Sequence, residues 1–222
     1  MNEQRKEDMK KEFDTLYAST DCVWGLKADK YLGIALKNVD KGHALDIGCG
    51  EGRHSLFLAQ KGYAVDAVDI SEEAIKKLMQ YARVYNVEES ITAIVGDVRK
   101  MDVPSKRYDL IVISFVFPFL KHSDIEIILK KAKCALKPKG YIYVSALTTD
   151  DPEYQSYSEK QTPIEPRTYY SPGLQCYCYF FEKNELKLYF SDYTLIDYTE
   201  AVVELSREPY THAFCLIFAQ KR

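Results

Sequence analysis

The sequence contains no apolar run that approaches the roughly 20 residues a helix needs to cross a bilayer. Its first eleven residues, Met1 to Lys11, are polar and charged. Neither a membrane anchor nor a secretory leader is expected, and the expected location is cytoplasmic. It also has no basic excess: 30 Lys and Arg stand against 33 Asp and Glu, a net charge of −3, which disfavours partners that bind through phosphate neutralisation. The six cysteines (Cys22, Cys49, Cys134, Cys176, Cys178, Cys215) include no C-x-x-C pair, so a structural zinc site is not expected and free thiols are. No Gly/Ser-rich or Pro-rich linker divides the 222 residues, and residues 1–222 read as a single domain.

What is present is an alternation. A polar helical segment from about Glu3 to Tyr17, a short loop around Cys22-Val23-Trp24-Gly25 and a helix over Ala28 to Val39 form an N-terminal cap, residues 1–40. From His43 onward, strand-length apolar runs near 43–47, 64–69, 91–96, 108–114 and 140–147 alternate with helical stretches near 53–61, 72–86 and 123–136. That order is the mark of right-handed βαβ units and a parallel sheet. Ser71, followed by Glu72 and Glu73, opens the second of these helices as its N-cap. Leu136-Lys137-Pro138-Lys139-Gly140 stops the third. After this core, residues 41–148, the segment from Thr149 to Gly173 turns polar and carries four prolines, which predicts a long ordered loop or lid over 149–181. A helix over Glu182 to Phe190 and strands over Leu195 to Leu205 and His212 to Ala219 follow. Ser206-Arg207-Glu208-Pro209 joins the two strands as an antiparallel hairpin.

The densest signal is the first strand and its exit, Ala44-Leu45-Asp46-Ile47-Gly48-Cys49-Gly50-Glu51-Gly52. Glycines at a strand-to-helix turn let backbone approach a cofactor closely. They fall at the first, third and fifth places, whereas the dinucleotide fingerprint requires Gly or Ala at the sixth, where Arg53 stands. Asp46 is set to meet a cationic group such as an ammonium. Asp69 ends the second strand, where a carboxylate can accept from both ribose hydroxyls. Gly96-Asp97-Val98 ends the third: Asp97 would accept from an adenine amino group, the Val98 N–H would meet a ring nitrogen, and Ile70 and Val98 would sandwich the ring.

Asp-x-Gly-x-Gly-x-Gly, an acid ending strand two and Gly-Asp ending strand three together resemble the class I S-adenosylmethionine-dependent methyltransferase superfamily. Tyr108-Asp109-Leu110-Ile111-Val112 and Leu136-Lys137-Pro138-Lys139-Gly140-Tyr141 match it too. The resemblance covers about residues 40–148. It implies an α/β, Rossmann-like doubly wound fold: a mostly parallel seven-stranded sheet with an antiparallel C-terminal hairpin. It also implies S-adenosylmethionine as cofactor, with S-adenosylhomocysteine as product. The donor-side residues are then Asp46, Gly48, Gly50, Gly52, Arg53, Asp69, Ile70, Asp97, Val98 and Ser114. A narrower similarity runs through Gly50-Glu51-Gly52-Arg53-His54-Ser55-Leu56, Val116-Phe117-Pro118-Phe119-Leu120, Phe181-Glu182-Lys183-Asn184-Glu185-Leu186 and Tyr198 to Leu205. These resemble the tellurite-resistance methyltransferase family, which implies metalloid oxyanions or thiols as acceptors. That family carries a His and Arg arrangement near the helix before strand six, where this chain has Glu185-Leu186-Lys187-Leu188.

A sulfonium methyl is already electrophilic, so the enzyme chiefly supplies an in-line pose and a water-poor pocket, and no catalytic triad is expected. Acceptor-side candidates are Tyr17, Trp24, Phe115, Phe117, Arg167, Tyr169 and Tyr170, whose rings would favour a sulfonium by cation–π attraction. Cys176 and Cys178 read as two small apolar side chains on one face, and His54 as a solvent-exposed helix residue. The expected partner is a small molecule, with neither nucleic acid nor membrane. Against a nucleic-acid methyltransferase, strand four exits as Ile113-Ser114-Phe115-Val116-Phe117-Pro118, without an Asn/Asp-Pro-Pro-aromatic loop, and no Pro-Cys pair is present. A non-catalytic S-adenosylmethionine-binding or protein-interaction module is the rival reading.

Overall fold

The computed structural model describes residues 3–204 and 211–222. The expected turn Ser206-Arg207-Glu208-Pro209 lies outside them. Five strands are parallel: β1 (His43–Ile47), β2 (Ala64–Asp69), β3 (Ile91–Val95), β4 (Tyr108–Ser114) and β5 (Leu136–Leu147). Two longer ones, β8 (Tyr193–Glu204) and β9 (Thr211–Lys221), are antiparallel to each other, and β9 is antiparallel to β5. The sheet order is β3-β2-β1-β4-β5-β9-β8. The chain leaves β1 toward β2 and returns to the other side of β1 as β4. The loops at their carboxyl ends therefore diverge, and a crevice opens there.

Alternation along β4 shows how both sheet faces become core. Ile111 and Ile113 pack with Ile125, Ile128 and Leu129 of α5 (His122–Ala135), while Leu110 and Val112 join Leu56 and Leu58 of α3 (Arg53–Gln60) and Leu78 of α4 (Glu72–Val84). Helices on both faces explain why the middle of β4, Leu110 to Ile113, is an unbroken apolar run. Ser71 caps α4 as expected, accepting from the Ala74 N–H at 3.1 Å. The N-terminal cap comprises α1 (Glu3–Ala18), α2 (Lys30–Ala35) and a 3-10 turn over Leu36–Asn38. No helix among the described residues is long and apolar enough to cross a membrane.

Two expectations are corrected. The segment after β5 is built structure rather than loop. Asp151 caps α6 (Pro152–Lys160) by accepting from the Glu153 N–H, with Pro152 in the first turn. Then β6 (Thr168–Ser171) and β7 (Cys176–Tyr179) form an antiparallel hairpin. Proline is compatible with a helix's first turn, and tyrosine favours strands. Of the four prolines that suggested a loop, Pro152 starts a helix, and Tyr169, Tyr170, Tyr177 and Tyr179 fill the hairpin. The next helix, α7 (Glu185–Leu188), is a single turn rather than nine residues. Leu136-Lys137-Pro138-Lys139-Gly140 also does more than stop α5: Leu136 already pairs with Tyr108, and the register then jumps to Leu110 opposite Tyr141.

Candidate functional site

The exit from β1 is a left-handed turn. Gly48, Gly50 and Gly52 have φ of 67°, 53° and 92°. All three are also hemmed in. A Cβ on Gly48 would lie 2.4 Å from Val116 Cγ2, at the exit of β4, one on Gly50 would lie 2.9 Å from the Tyr17 hydroxyl, and one on Gly52 would lie 2.1 Å from Leu78 Cδ1. The turn is tied to its neighbour strand by the Gly48 and Cys49 N–H groups, which donate to the Val68 carbonyl at 2.8 and 3.0 Å.

Asp69 joins the two strand ends. Its carboxylate accepts from the Gly50 N–H at 2.8 Å through one oxygen and from the Ser71 N–H at 2.9 Å through the other. Burial pushes its pKa up, and those N–H groups oppose the push. Each oxygen keeps acceptor capacity, which is what a pair of ribose hydroxyls requires. Asp46 is buried and accepts from the Ser55 hydroxyl at 2.6 Å. Burial raises its pKa to about 6, against the pull of Ser55 and Arg53. The buried carboxylate and the nearby Arg53 thus set opposite charges beside the turn. Ser55 was absent from the sequence candidates. Its signal is a hydroxyl on the inward face of the first turn after the glycines.

Among the adenine-side candidates, Asp97 is gripped by Arg99, whose Nε and Nη2 donate at 2.7 and 2.9 Å while its backbone N–H donates at 3.0 Å. Arg99 also reaches Asp124 at 3.0 Å. A carboxylate engaged three times by one arginine fixes the loop after β3. Ile70 packs with Phe13, Tyr17 and Ala74, and Val98 packs on the opposite cluster. A ring between them would bridge two apolar clusters.

At the acceptor side the structure sorts the candidates. Tyr17 is buried beneath the half-exposed Trp24. The indole Nε1–H donates to the Tyr17 hydroxyl at 3.2 Å, and both lie over Gly50. Ser114 and Ser145 face each other at 3.0 Å across the ends of β4 and β5. Phe115, next in the chain, is left-handed at φ 54°, a conformation that costs a bulky residue about 1–3 kcal/mol and is found at functional sites. Its ring reaches a cluster of Leu147, Tyr154, Tyr157, Tyr169, Cys178 and Phe180. Tyr169 thus shares a wall with Phe115. Tyr170, one residue on, points to the other face of the hairpin, packs on Tyr177 and donates to Gln175 at 2.5 Å.

Three expectations fail here for reasons of side-chain direction. Phe117 is fully buried in a 3-10 turn (Phe117–Phe119) and packs on Phe181, so it is core. Arg167 lies behind the lid hairpin. It donates to Glu182 at 3.1 Å, Glu185 at 2.9 Å and the Tyr179 hydroxyl at 2.8 Å, beside a surface cavity of ≈480 Å³ shared with His122 and Tyr189. Alternation along β7 turns Cys178 toward the aromatic wall and Tyr179 toward α5. His54 is buried instead of exposed. Its ring accepts from the Asp29 N–H at 3.4 Å, and burial lowers its pKa to about 3. Cys176 and Cys178 are both buried, with thiols pushed up, Cys176 to about 12. Such thiols stay protonated and inert.

Sequence reasoning also missed two acids that hold the N-terminal cap on this site. Asp14 accepts from the Ser71 hydroxyl at 2.6 Å and from the Glu73 N–H at 3.3 Å, which docks α1 on the start of α4. Glu51, inside the glycine turn, is buried and accepts from the Val23 N–H at 2.7 Å.

Comparison with known proteins agrees with this architecture. The model of the tellurite resistance protein TehB family matches residues 29–212. The chain belongs to the TehB family. A Haemophilus influenzae relative named "Probable S-adenosyl-L-methionine-dependent methyltransferase TehB" is 30% identical over 174 residues, 78% of this chain and 53% of that protein. The chain thus spans about half the length of the curated relatives it matches. The crystal structure of TehB from Haemophilus influenzae superposes with a TM-score of 0.71 at 25% identity, covering 95% of this chain and 67% of that one. The N-methyltransferase NodS from Bradyrhizobium japonicum, solved with S-adenosyl-L-homocysteine, shares the fold with a TM-score of 0.70 at 14% identity, covering 96% of this chain and 98% of that one.

Proposed function

We propose that this chain transfers the methyl group of S-adenosylmethionine to a small-molecule acceptor. The observation that carries the reading is Asp69, a buried carboxylate at the end of β2 held against the left-handed Gly50 turn with acceptor capacity left over. Asp46 and Arg53 add the opposite charges that an amino-acid moiety requires, and the TehB relatives bear a methyltransferase name.

When bound, the cofactor supplies an electrophilic methyl on a sulfonium sulfur. The chain's own residues then bind, orient and exclude water. Asp69 and Asp46 anchor the two ends of the donor, and the glycine turn lets backbone approach it. Tyr17, Trp24 and Phe115 present rings where a cation is favoured over water. Held there, the donor would give its methyl carbon to the acceptor's lone pair, and the electrons of the carbon–sulfur bond would stay with sulfur. A thiolate or oxyanion brings that lone pair itself and needs no general base.

For the acceptor we propose a metalloid oxyanion or a thiol, and one observation favours the thiol. The one arginine among the acceptor-side candidates, Arg167, is turned behind the β6–β7 hairpin and paired with Glu182 and Glu185, while the wall beside Phe115 is tyrosine, phenylalanine, leucine and cysteine. Dehydrating an oxyanion against such a wall is costly without a paired cation. Transfer of tritiated methyl to tellurite, selenite, thiols and small amines tests the reading, with S-adenosylhomocysteine binding measured by calorimetry alongside. Labelled thiol is the expected result. Cofactor binding with no labelled acceptor would favour the rival, a non-catalytic binding module.

A further inference from the structure

The glycine turn and the segment that roofs it are held together by one buried acid. Glu51 is 3% exposed. One of its oxygens accepts from the backbone N–H groups of Val23 at 2.7 Å and Trp24 at 3.4 Å, with the Cys22 thiol at 3.5 Å. The other oxygen meets Lys77 Nζ at 3.2 Å. Lys77 in turn donates to the carbonyls of Thr20 and Asp21, and Tyr81 donates to Asp21 at 2.5 Å. Residues 20–24 are therefore fastened along their length to the turn and to α4 through a carboxylate and an ammonium that neutralise each other out of water. The result is that Trp24, hydrogen-bonded to Tyr17, rests over Gly50.

We propose that Glu51 is a positioning residue for the donor site: it clamps the 20–24 strap so that Tyr17 and Trp24 roof the Gly50 turn where the methyl donor lies. The inference rests on the methyl-donor reading of that turn. Glu51 acts through the two rings and need not touch the cofactor. A backbone-directed clamp suits the task because the N–H groups of residues 23 and 24 fix the strap's path whatever the side chains do. The ring of Trp24 is then free to remain half-exposed and to shift as a ligand enters. The carboxylate belongs to the turn itself, so turn and roof move as one unit.

Trp24 is the only tryptophan, so its fluorescence reports the strap alone. In the full chain, Glu51→Ala is expected to raise acrylamide quenching of Trp24 about twofold, because loss of a hydrogen-bonded buried charge releases both backbone N–H groups. The same change is expected to weaken S-adenosylhomocysteine about tenfold or more, the scale of hydrogen bonds to a charged group. Glu51→Gln keeps an acceptor for Val23 and is expected to recover most of the protection. Trp24→Ala should also weaken S-adenosylhomocysteine, and combined with Glu51→Ala it should cost clearly less than the two single losses multiplied, since both remove one unit. A general loss of stability would give independent, additive losses. Should Glu51→Ala fail to fold, Lys77→Met, which frees the carbonyls of Thr20 and Asp21, is expected to raise the quenching in the same way.

Wild-type quenching of Trp24 in Glu51→Ala or Lys77→Met would overturn the clamp. Raised quenching with unchanged ligand affinity would overturn its positioning role. If the unaltered chain bound no S-adenosylhomocysteine, the donor-site reading itself would fall, whereas the quenching comparison is made without ligand and tests the clamp separately.

Discussion

The turn after β1 and the hairpin after β5 sit on two sides of one crevice and treat polar groups in opposite ways. Around the turn, three acids are buried and each is met by neutral or cationic donors: Asp46 by Ser55, Glu51 by Val23 and Lys77, Asp69 by Gly50 and Ser71. Around the hairpin the crevice face is aromatic and thiol, and the charges have been moved to the far side, where Arg167, Glu182 and Glu185 satisfy one another. On the proposed reading, the donor side is preorganised electrostatically, with directional groups fixed before a ligand arrives, and the acceptor side offers shape and polarisable surface. A site built this way would discriminate strongly for its donor and discriminate its acceptor by fit and desolvation.

The largest test of this contrast is Asp69→Ala. It should weaken S-adenosylhomocysteine by about 1.5–3 kcal/mol, the range for hydrogen bonds to a charged group, and an unchanged dissociation constant by calorimetry would remove Asp69 from the site. Acidification should have a smaller effect. With its pKa raised to about 6, Asp46 is mostly ionised at pH 7 and mostly neutral at pH 5. An ammonium-bearing ligand favours the ionised form, so its affinity should fall as pH drops, by up to about tenfold over that interval. Asp46→Asn, which cannot titrate, should flatten the profile. A profile equally steep in Asp46→Asn would assign the proton to another group. The smallest effect belongs to the lid. Arg167→Ala should leave S-adenosylhomocysteine affinity within about twofold while lowering unfolding stability by roughly 1 kcal/mol, as expected for a partly buried pair between its two charged neighbours. A large loss of cofactor affinity would mean that the two sides are not separate.

Much of this was legible before the fold. The strands 43–47, 64–69 and 108–114 coincide with β1, β2 and β4, because β-branched runs bounded by glycine or acid declare their ends locally. The glycine turn and Asp69 were legible for the same reason: left-handed backbone and a strand-terminal carboxylate are properties of a few adjacent residues. The lid was misread because Asp151-Pro152-Glu153, a helix start, was taken with its neighbouring prolines as a break. Phe117 and Arg167 point away from the Phe115 wall, since one residue of register on a strand or turn decides which face a side chain takes. His54 was placed on the wrong side of a short helix whose outer face the N-terminal cap covers. Glu51 was overlooked because its partners lie 26 to 28 residues away.

The sequence by itself therefore determined the α/β alternation, the glycine turn after the first strand and the acid that ends the second, because these follow from backbone preferences of neighbouring residues. Only the tertiary structure decided which candidates meet. It placed Tyr17 and Trp24 over Gly50, set Phe115 beside Tyr169, and turned Arg167 away. Those outcomes depend on packing between segments far apart in the chain, where burial leaves each polar group the partners that the fold brings within reach.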